Sequence, residues 1–251
     1  MRSVDFGESD KIVHLLTPDS GRLTAIAKGA RRSVKRFPGT LDIFNHLRIQ
    51  TYQSRPGRMV HLEQARLVSA FEGLRSVPRR FALACYLVEM IGRVAPEGGS
   101  GPDCKRLFDF TLGALDLVGA SQPDTLLRVL LELRALDAAG LRPELRVCVR
   151  CGKEPSSGSV GFHVGDGGLI CSSCAPHSEG LVSVHLGTLR ALDQSLRLPL
   201  DRLDRLVMGP QALAEAARLV ARFTRFHVGL ELKSERFLDE MLHQYEPSRG
   251  A

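Results

Sequence analysis

The sequence predicts an α+β protein in several parts, a small N-terminal β-barrel followed by an α-helical domain into which a four-cysteine segment is inserted. Three observations carry this expectation. Between Lys11 and Ala70 apolar residues recur with partial period-2 alternation; after Pro78 the period lengthens to that of helices; and two Cys-x-x-Cys pairs, Cys148/Cys151 and Cys171/Cys174, interrupt the helical part.

The strand candidates are "KIVHLLT", "RLTAIAKGA", "LDIFNHLRIQTYQ" and "MVHLEQARLVSA", rich in Val, Ile, Leu and Phe. Turn chemistry separates them at "PDSGR", at the glycine-bounded "GARRSVKRFPG" and at "SRPGR". So few strands joined mainly by hairpin-length turns suit a closed OB-like or SH3-like barrel. Next, "RRFALACYLVEMIGRV" is apolar nearly all round, as a helix buried among others must be, and stops before "PEGGSGP". A second helix is expected over "CKRLFDFTLGALDLV". A third, "PDTLLRVLLELRALDAAG", aligns Leu126, Val129, Leu130, Leu133 and Leu136, with Gly140 and Pro143 as stop signals. Beyond the cysteines, helix is expected over "LGTLRALDQSLRL" and the long "GPQALAEAARLVARFTRFHVGLELKSERFLDEMLHQ". The resulting division is a barrel over 1–77, a helical domain over 78–147 and 177–246, and the insert over 148–176.

Of the 251 residues 43% are hydrophobic and 25% charged, which excludes a disordered chain. No apolar run approaches the ~20 residues of a bilayer span, and "MRSVDFGESD" lacks the apolar core of a signal peptide, so a cytoplasmic location is expected. There, close cysteine pairs favour metal binding over disulfides. Cys85 and Cys104 lie outside the pairs. Positive charge is concentrated near the N-terminus: residues 1–80 hold 15 Lys and Arg against 7 Asp and Glu, leaving 19 against 21 for the rest. That asymmetry points to a polyanionic partner, with nucleic acid ahead of a membrane surface.

A two-residue spacer lets both thiolates of a pair face one ion, and the 19 residues between Cys151 and Cys171 can form a hairpin that brings the pairs together. Four thiolates match tetrahedral Zn²⁺, with rubredoxin-like iron as the chemical rival. They leave no open position for water, so the ion is expected to be structural. A deaminase would pair His-x-Glu with Pro-Cys-x-x-Cys; "HLE" at 61–63 falls in a strand and neither pair follows a proline. His163 reads as a hairpin side chain. Arg150 and Lys153 are the only basic residues of the segment, which favours architecture over a grip on DNA.

"KGARRSVKR" supplies Lys28, Arg31, Arg32, Lys35 and Arg36, and no acidic residue occurs from Ser20 to Leu41. Cations fanning out from one barrel loop suit a phosphate backbone, each contact with a single strand contributing about −0.7 to the log affinity–log salt slope. Aromatic residues are scarce at 6%, with Phe37 and Phe44 as stacking candidates. Arg218, Arg222 and Arg225 form a second row at helical spacing, with Glu215 placed to pair with Arg218; a solvated face is the simpler reading. Asp5, Glu8 and Asp10 suit a turn tethered through backbone amides or Lys11. Phosphate-binding glycine loops, His-Glu-x-x-His and nucleophile-elbow motifs are absent from the sequence.

Taken in order, "DFGESDKIVHLLTPDSGRLTAIAKGARRSVKRFPGTLDIFN", "LRPELRVCVRCG" and "HVGLELKSERFL" resemble the bacterial RecO family of recombination mediators over almost the whole length. The resemblance implies that the barrel is an OB-fold and that the protein is a non-enzymatic component of the RecF pathway of DNA repair, associated with the nucleoid during repair. It further implies binding and annealing of single- and double-stranded DNA, association with RecR and with the C-terminal tail of single-stranded-DNA-binding protein, and help in loading RecA. It carries DNA contact to Lys28, Arg31, Arg32, Lys35 and Arg36, with Arg22 on the strand before them, and one structural Zn²⁺ to Cys148, Cys151, Cys171 and Cys174. Relatives that lack the cysteines imply that zinc fastens rather than acts. Family members usually begin several residues earlier, so the resemblance implies either a short first strand with one poorly paired edge or a start assigned too far downstream.

Overall fold

Alternation between core and solvent builds the N-terminal sheet. The computed structural model describes residues 2–33, 35–156, 158–229 and 232–243, in two compact units that meet in sequence at Ser121/Gln122. The first contains β1 (Arg2–Phe6), β2 (Asp10–Thr17), β3 (Gly21–Ala27), β4 (His46–Tyr52) and β5 (Val60–Ser69), in the order β1-β2-β3-β5-β4. All ladders are antiparallel except β3–β5, where Ala25 faces Val60 and Ile26 faces His61. Val13 and Leu15 of β2, Ala25 and Ala27 of β3, and Leu62 and Ala65 of β5 turn inward onto Phe37 and Leu41 of the β3–β4 loop. Among the described residues no ladder joins β1 to β4, so the barrel is partly open, as OB-folds are. β1 is an edge of five residues, with Ser3 Oγ donating to Leu41 O at 3.0 Å.

Two helices complete this unit, α1 (Pro78–Val94) and α2 (Pro102–Ala120), each with proline in its first turn, where no amide hydrogen is needed. α1 buries residues on most of its circumference, Leu83, Tyr86, Leu87, Met90 and Ile91 among them. Its end meets the β2–β3 turn at Gly21, which has φ 61° and where a Cβ would stand 2.4 Å from Pro96 O; only glycine fits. A cavity of about 340 Å³ between sheet and helices is lined by Leu15, Phe44, His46, Ile49, Ile91 and Phe108 among others.

The second unit comprises α3 (Thr125–Ala138), the sheet β7-β6-β8 (β6 Ser159–His163, β7 Gly168–Ile170, β8 Val182–His185), α4 (Leu186–Arg197), α5 (Pro210–Val228) and α6 (Glu235–His243). Asp124 caps α3 by accepting the Leu127 amide at 2.8 Å. Leu130, Leu133 and Leu136 of α3 are buried, as are Phe162 of β6 and Leu219 and Phe223 of α5. Arg128 joins α3 to α6 through Glu235 at 3.1 Å and Asp239, while also holding the buried Glu132 at 2.8 Å. Arg134 donates to the carbonyls of Ser195, Leu196 and Leu198, satisfying the C-terminal end of α4.

The segment 209–244, which the sequence reads as one helical run, is divided. Gly229, at φ 88° and ψ −157°, ends α5 in a conformation open chiefly to glycine, and α6 starts afresh at Glu235. Leu230 and Glu231, within that run, Gln244 at its end and the remainder of the domain to residue 246 lie outside the described residues. Among the described residues no helix is long and apolar enough to cross a membrane.

Candidate nucleic-acid interface and metal centre

Each cysteine pair sits in a tight turn set by backbone bonds. In the first, Gly152 N donates to Cys148 O at 2.8 Å and Cys148 N to Lys153 O at 2.9 Å. In the second, the amides of Cys174 and Ala175 both donate to Cys171 O, at 3.0 and 2.9 Å. The β6–β7 hairpin ends at Ile170 and delivers Cys171 to the first turn, bringing all four Sγ atoms within 4.8 Å of one another. Cys151 and Cys171 are 3.6 Å apart, far beyond a disulfide bond of ~2.05 Å and close to the ~3.8 Å edge of a tetrahedron with ~2.3 Å metal–sulfur bonds. The cluster can therefore hold a metal ion.

Its electrostatics favour a cation. Burial works against ionising Cys148, yet the backbone amides of Cys171, Cys151 and Arg150 bring its thiol down to about 6. The Cys174 amide lowers Cys171, whereas the sulfurs of Cys171 and Cys151 push Cys174 up to about 12. Sulfurs this close cannot all ionise alone, and a dication among them removes the conflict. Arg150, between the first two cysteines, grips Asp166 in the β6–β7 turn through Nε at 3.0 Å and Nη2 at 2.8 Å; this holds the Asp166 carboxyl below its ordinary range. His163 Nδ1 accepts the Asp166 amide at 3.0 Å, a hairpin role rather than that of a ligand. Cys85 and Cys104 belong to α1 and α2, where burial pushes Cys85 up to about 11.

In the β3–β4 loop Lys28, Arg31, Arg32, Lys35 and Arg36 are all exposed. The backbone beneath them is fixed. Asp10 accepts the Gly29 amide at 2.8 Å, a bond that lowers its carboxyl; Arg31 N donates to Ser9 O at 3.0 Å; and Ala65 N of β5 donates to Arg36 O at 3.1 Å. Arg31 also reaches Asp5 at 3.5 Å and Glu8 O at 3.2 Å, and Arg36 donates to Lys28 O at 2.7 Å. Lys28 lies near the Asp10 carboxylate. Among the described residues the side chains of Arg32 and Lys35 have no hydrogen-bond or ion-pair partner.

Arg22 stands apart from these five. Half-buried on β3, it donates to Gly92 O at 3.0 Å and pairs with Glu97 at 2.7 Å, so it straps the strand to the end of α1. Phe37 and Phe44, the stacking candidates, are each 4% exposed and serve the core instead: Phe37 in the barrel, Phe44 edge-on to Phe81. Arg218, Arg222 and Arg225 do line the exposed face of α5, but Glu215 does not pair with Arg218. It turns to β8 and α4, accepting from His185 N at 3.1 Å and Thr188 Oγ1 at 2.8 Å. The Arg150–Asp166 clasp was not visible in the sequence, because nothing local links residues 16 positions apart.

The fold and these two sites define a class: an OB-fold protein with a polycationic loop, carrying a second unit of helices and a four-thiol cluster able to hold a metal ion. Residues 1–71 match the family described as Recombination protein O N terminal, and residues 75–236 that described as Recombination protein O C terminal. The chain is similar to the DNA repair protein RecO of Anaeromyxobacter sp. (strain K), 35% identical over 96% of this chain and 94% of that one. It is likewise similar to the RecO proteins of Myxococcus xanthus, at 35% over 96% and 95%, and of Symbiobacterium thermophilum, at 32% over 96% and 94%. The chain belongs to the RecO family of DNA repair proteins.

Proposed function

We propose that the protein is a non-enzymatic recombination mediator of the RecF pathway, with the barrel of residues 1–77 as its DNA-binding domain. Lys28, Arg31, Arg32, Lys35 and Arg36 contact phosphates, whereas Arg22, tied to Gly92 O and Glu97, serves to fix β3. One observation carries the reading: five exposed cations share a loop whose backbone is held by Asp10, Ser9 and Ala65, with Arg36 adding one bond to Lys28 O, and Arg32 and Lys35 take no partner among the described residues. A fixed backbone beneath exposed cations suits a partner whose charge repeats regularly. The cluster at Cys148, Cys151, Cys171 and Cys174 takes one structural Zn²⁺. Zinc suits four thiolates, and a filled sulfur shell leaves no place for an activated water.

In this reading the protein works in the cytoplasm, at the nucleoid during repair. It binds single- and double-stranded DNA and anneals complementary strands. With RecR it helps load RecA onto DNA covered by single-stranded-DNA-binding protein, whose C-terminal tail it also engages. The helical residues 78–147 and 177–246 and the insert 148–176 provide the body for those partners.

A salt titration of oligonucleotide binding tests the proposal. Replacing Arg31, Arg32, Lys35 and Arg36 together by alanine removes four contacts and flattens the log–log slope by about 2.8 for a single strand. An unchanged slope would overturn the assignment.

A further inference from the structure

Away from the loop, the first unit concentrates unpaired positive charge on its sheet. In the β4–β5 ladder Arg48 stands directly opposite Arg66, Gln50 opposite Gln64 and Tyr52 opposite His61. Alternation fixes the face. Leu47, Ile49, Leu62 and Ala65 turn to the core, so Arg48, Arg66 and their companions turn to solvent, and Tyr52 is 55% exposed. Like charges placed directly opposite destabilise an antiparallel pair. Among the described residues neither arginine has a side-chain hydrogen bond or ion pair to relieve the repulsion. The only carboxylate on either strand is Glu63, exposed at the bulge where Gln50–Gln64 gives way to Thr51–Leu62. The hairpin tip adds the exposed Arg55 and Arg58.

The same face is continuous with the basic loop. Past the end of β3, the bond from Ala65 N to Arg36 O lays the loop alongside β5. Phe37 turns inward there and its neighbour Arg36 outward. Arg48 and Arg66 thus stand on neighbouring strands, about 4.8 Å apart in a sheet, and Arg36, in a bend joined to β5 through its carbonyl, brings the basic loop beside them. The two guanidiniums and the loop beside them form one cationic stretch along which successive phosphates of a strand can be met.

We propose that the outer face of the β4–β5 ladder is a track for single-stranded nucleic acid, with Arg48 and Arg66 binding phosphates and Tyr52 stacking on an unpaired base. As an extension of the loop, it rests on the reading that the loop binds nucleic acid. A phosphate between the two guanidiniums cancels their repulsion, so a pairing that burdens the free protein is relieved in the complex. Stacking selects single strands, because the faces of paired bases are already covered.

Arg66→Glu in the full-length chain separates binding from structure. The substitution turns a repelling cross-strand pair into an attracting one and places negative charge in the phosphate path. The thermal midpoint is expected to hold or rise, while oligo-dT affinity falls at least tenfold and the log–log salt slope flattens by about 1.4, the value of two contacts. Tyr52→Ala is expected to weaken oligo-dT binding about tenfold without changing duplex binding, and Tyr52→Phe to retain both. Unchanged oligo-dT affinity in Arg66→Glu and Tyr52→Ala overturns the track. So does a Tyr52→Ala variant that binds oligo-dT normally while Arg66→Glu weakens oligo-dT, duplex and poly-glutamate alike, since that pattern describes a general anion or acidic-peptide surface. The four-alanine loop variant, measured alongside, shows a failure of the loop reading independently.

Discussion

The basic loop and the cysteine segment are both long excursions between elements, the second built on the β6–β7 hairpin, yet they are held in opposite ways. The loop is fastened through its backbone, by the Asp10 carboxylate on Gly29 N and the Ala65 amide on Arg36 O, and through the buried Phe37; its cations stay outside. The cysteine segment spends its side chains inward, four thiols converging within 4.8 Å, while Arg150 turns sideways to clasp Asp166. A region can present charged groups to a partner only where other groups anchor it. A region anchored by its own reactive side chains has none left to present.

This contrast can be broken or sharpened by substitution. The largest effect belongs to the cluster: Cys148→Ser, or stripping the ion with a chelator, should cost more than about 4 kcal/mol of stability. DNA affinity measured at low temperature should change less than twofold. Calorimetry and anisotropy on one sample check both, and equal losses would erase the distinction. Phe37→Ala should cost about 3 kcal/mol or more by opening the barrel core, and should weaken DNA binding because the loop loses its anchor. The four-alanine loop variant should leave the unfolding midpoint nearly unmoved while flattening the salt slope. The smallest effect concerns Asp10. Its folded carboxyl titrates below the ordinary value of 3.8, so its contribution to stability is fully present above that pH and fades as pH falls through the folded value. Asp10→Asn should abolish that acid-range dependence, which the Gly29 amide resonance can follow.

What was legible in the sequence was what is written locally. Alternation located β2 to β5 of the barrel, while β1 was expected from the resemblance alone; the two-residue spacers located the cysteine cluster, and a run of cations located the loop. What escaped depends on partners distant in sequence. Phe37 and Phe44 looked available for stacking because a residue's burial depends on what folds over it. The opposition of Arg48 and Arg66 requires the ladder register, and bulges between His46 and Leu47 and between Gln50 and Thr51 shift it in ways that alternation cannot reveal. Glu215 had a neighbour at helical spacing in Arg218, but Thr188 and the His185 amide offered a partly buried hydrogen-bonding site that an exposed arginine does not. Gly229 ends α5 by a backbone conformation that an apolar periodicity carries straight through.

The bond from Ala65 to Arg36 has a bearing on how molecules of this protein keep apart. Where β3 stops, β5 would otherwise offer a bare amide, the kind of vacancy through which sheets of separate molecules zip together into aggregates. The Arg36 carbonyl fills it from within the same chain, under a crust of like charge that turns neighbours away. A segment suited to gripping DNA thereby also guards the flank of the sheet against its own copies.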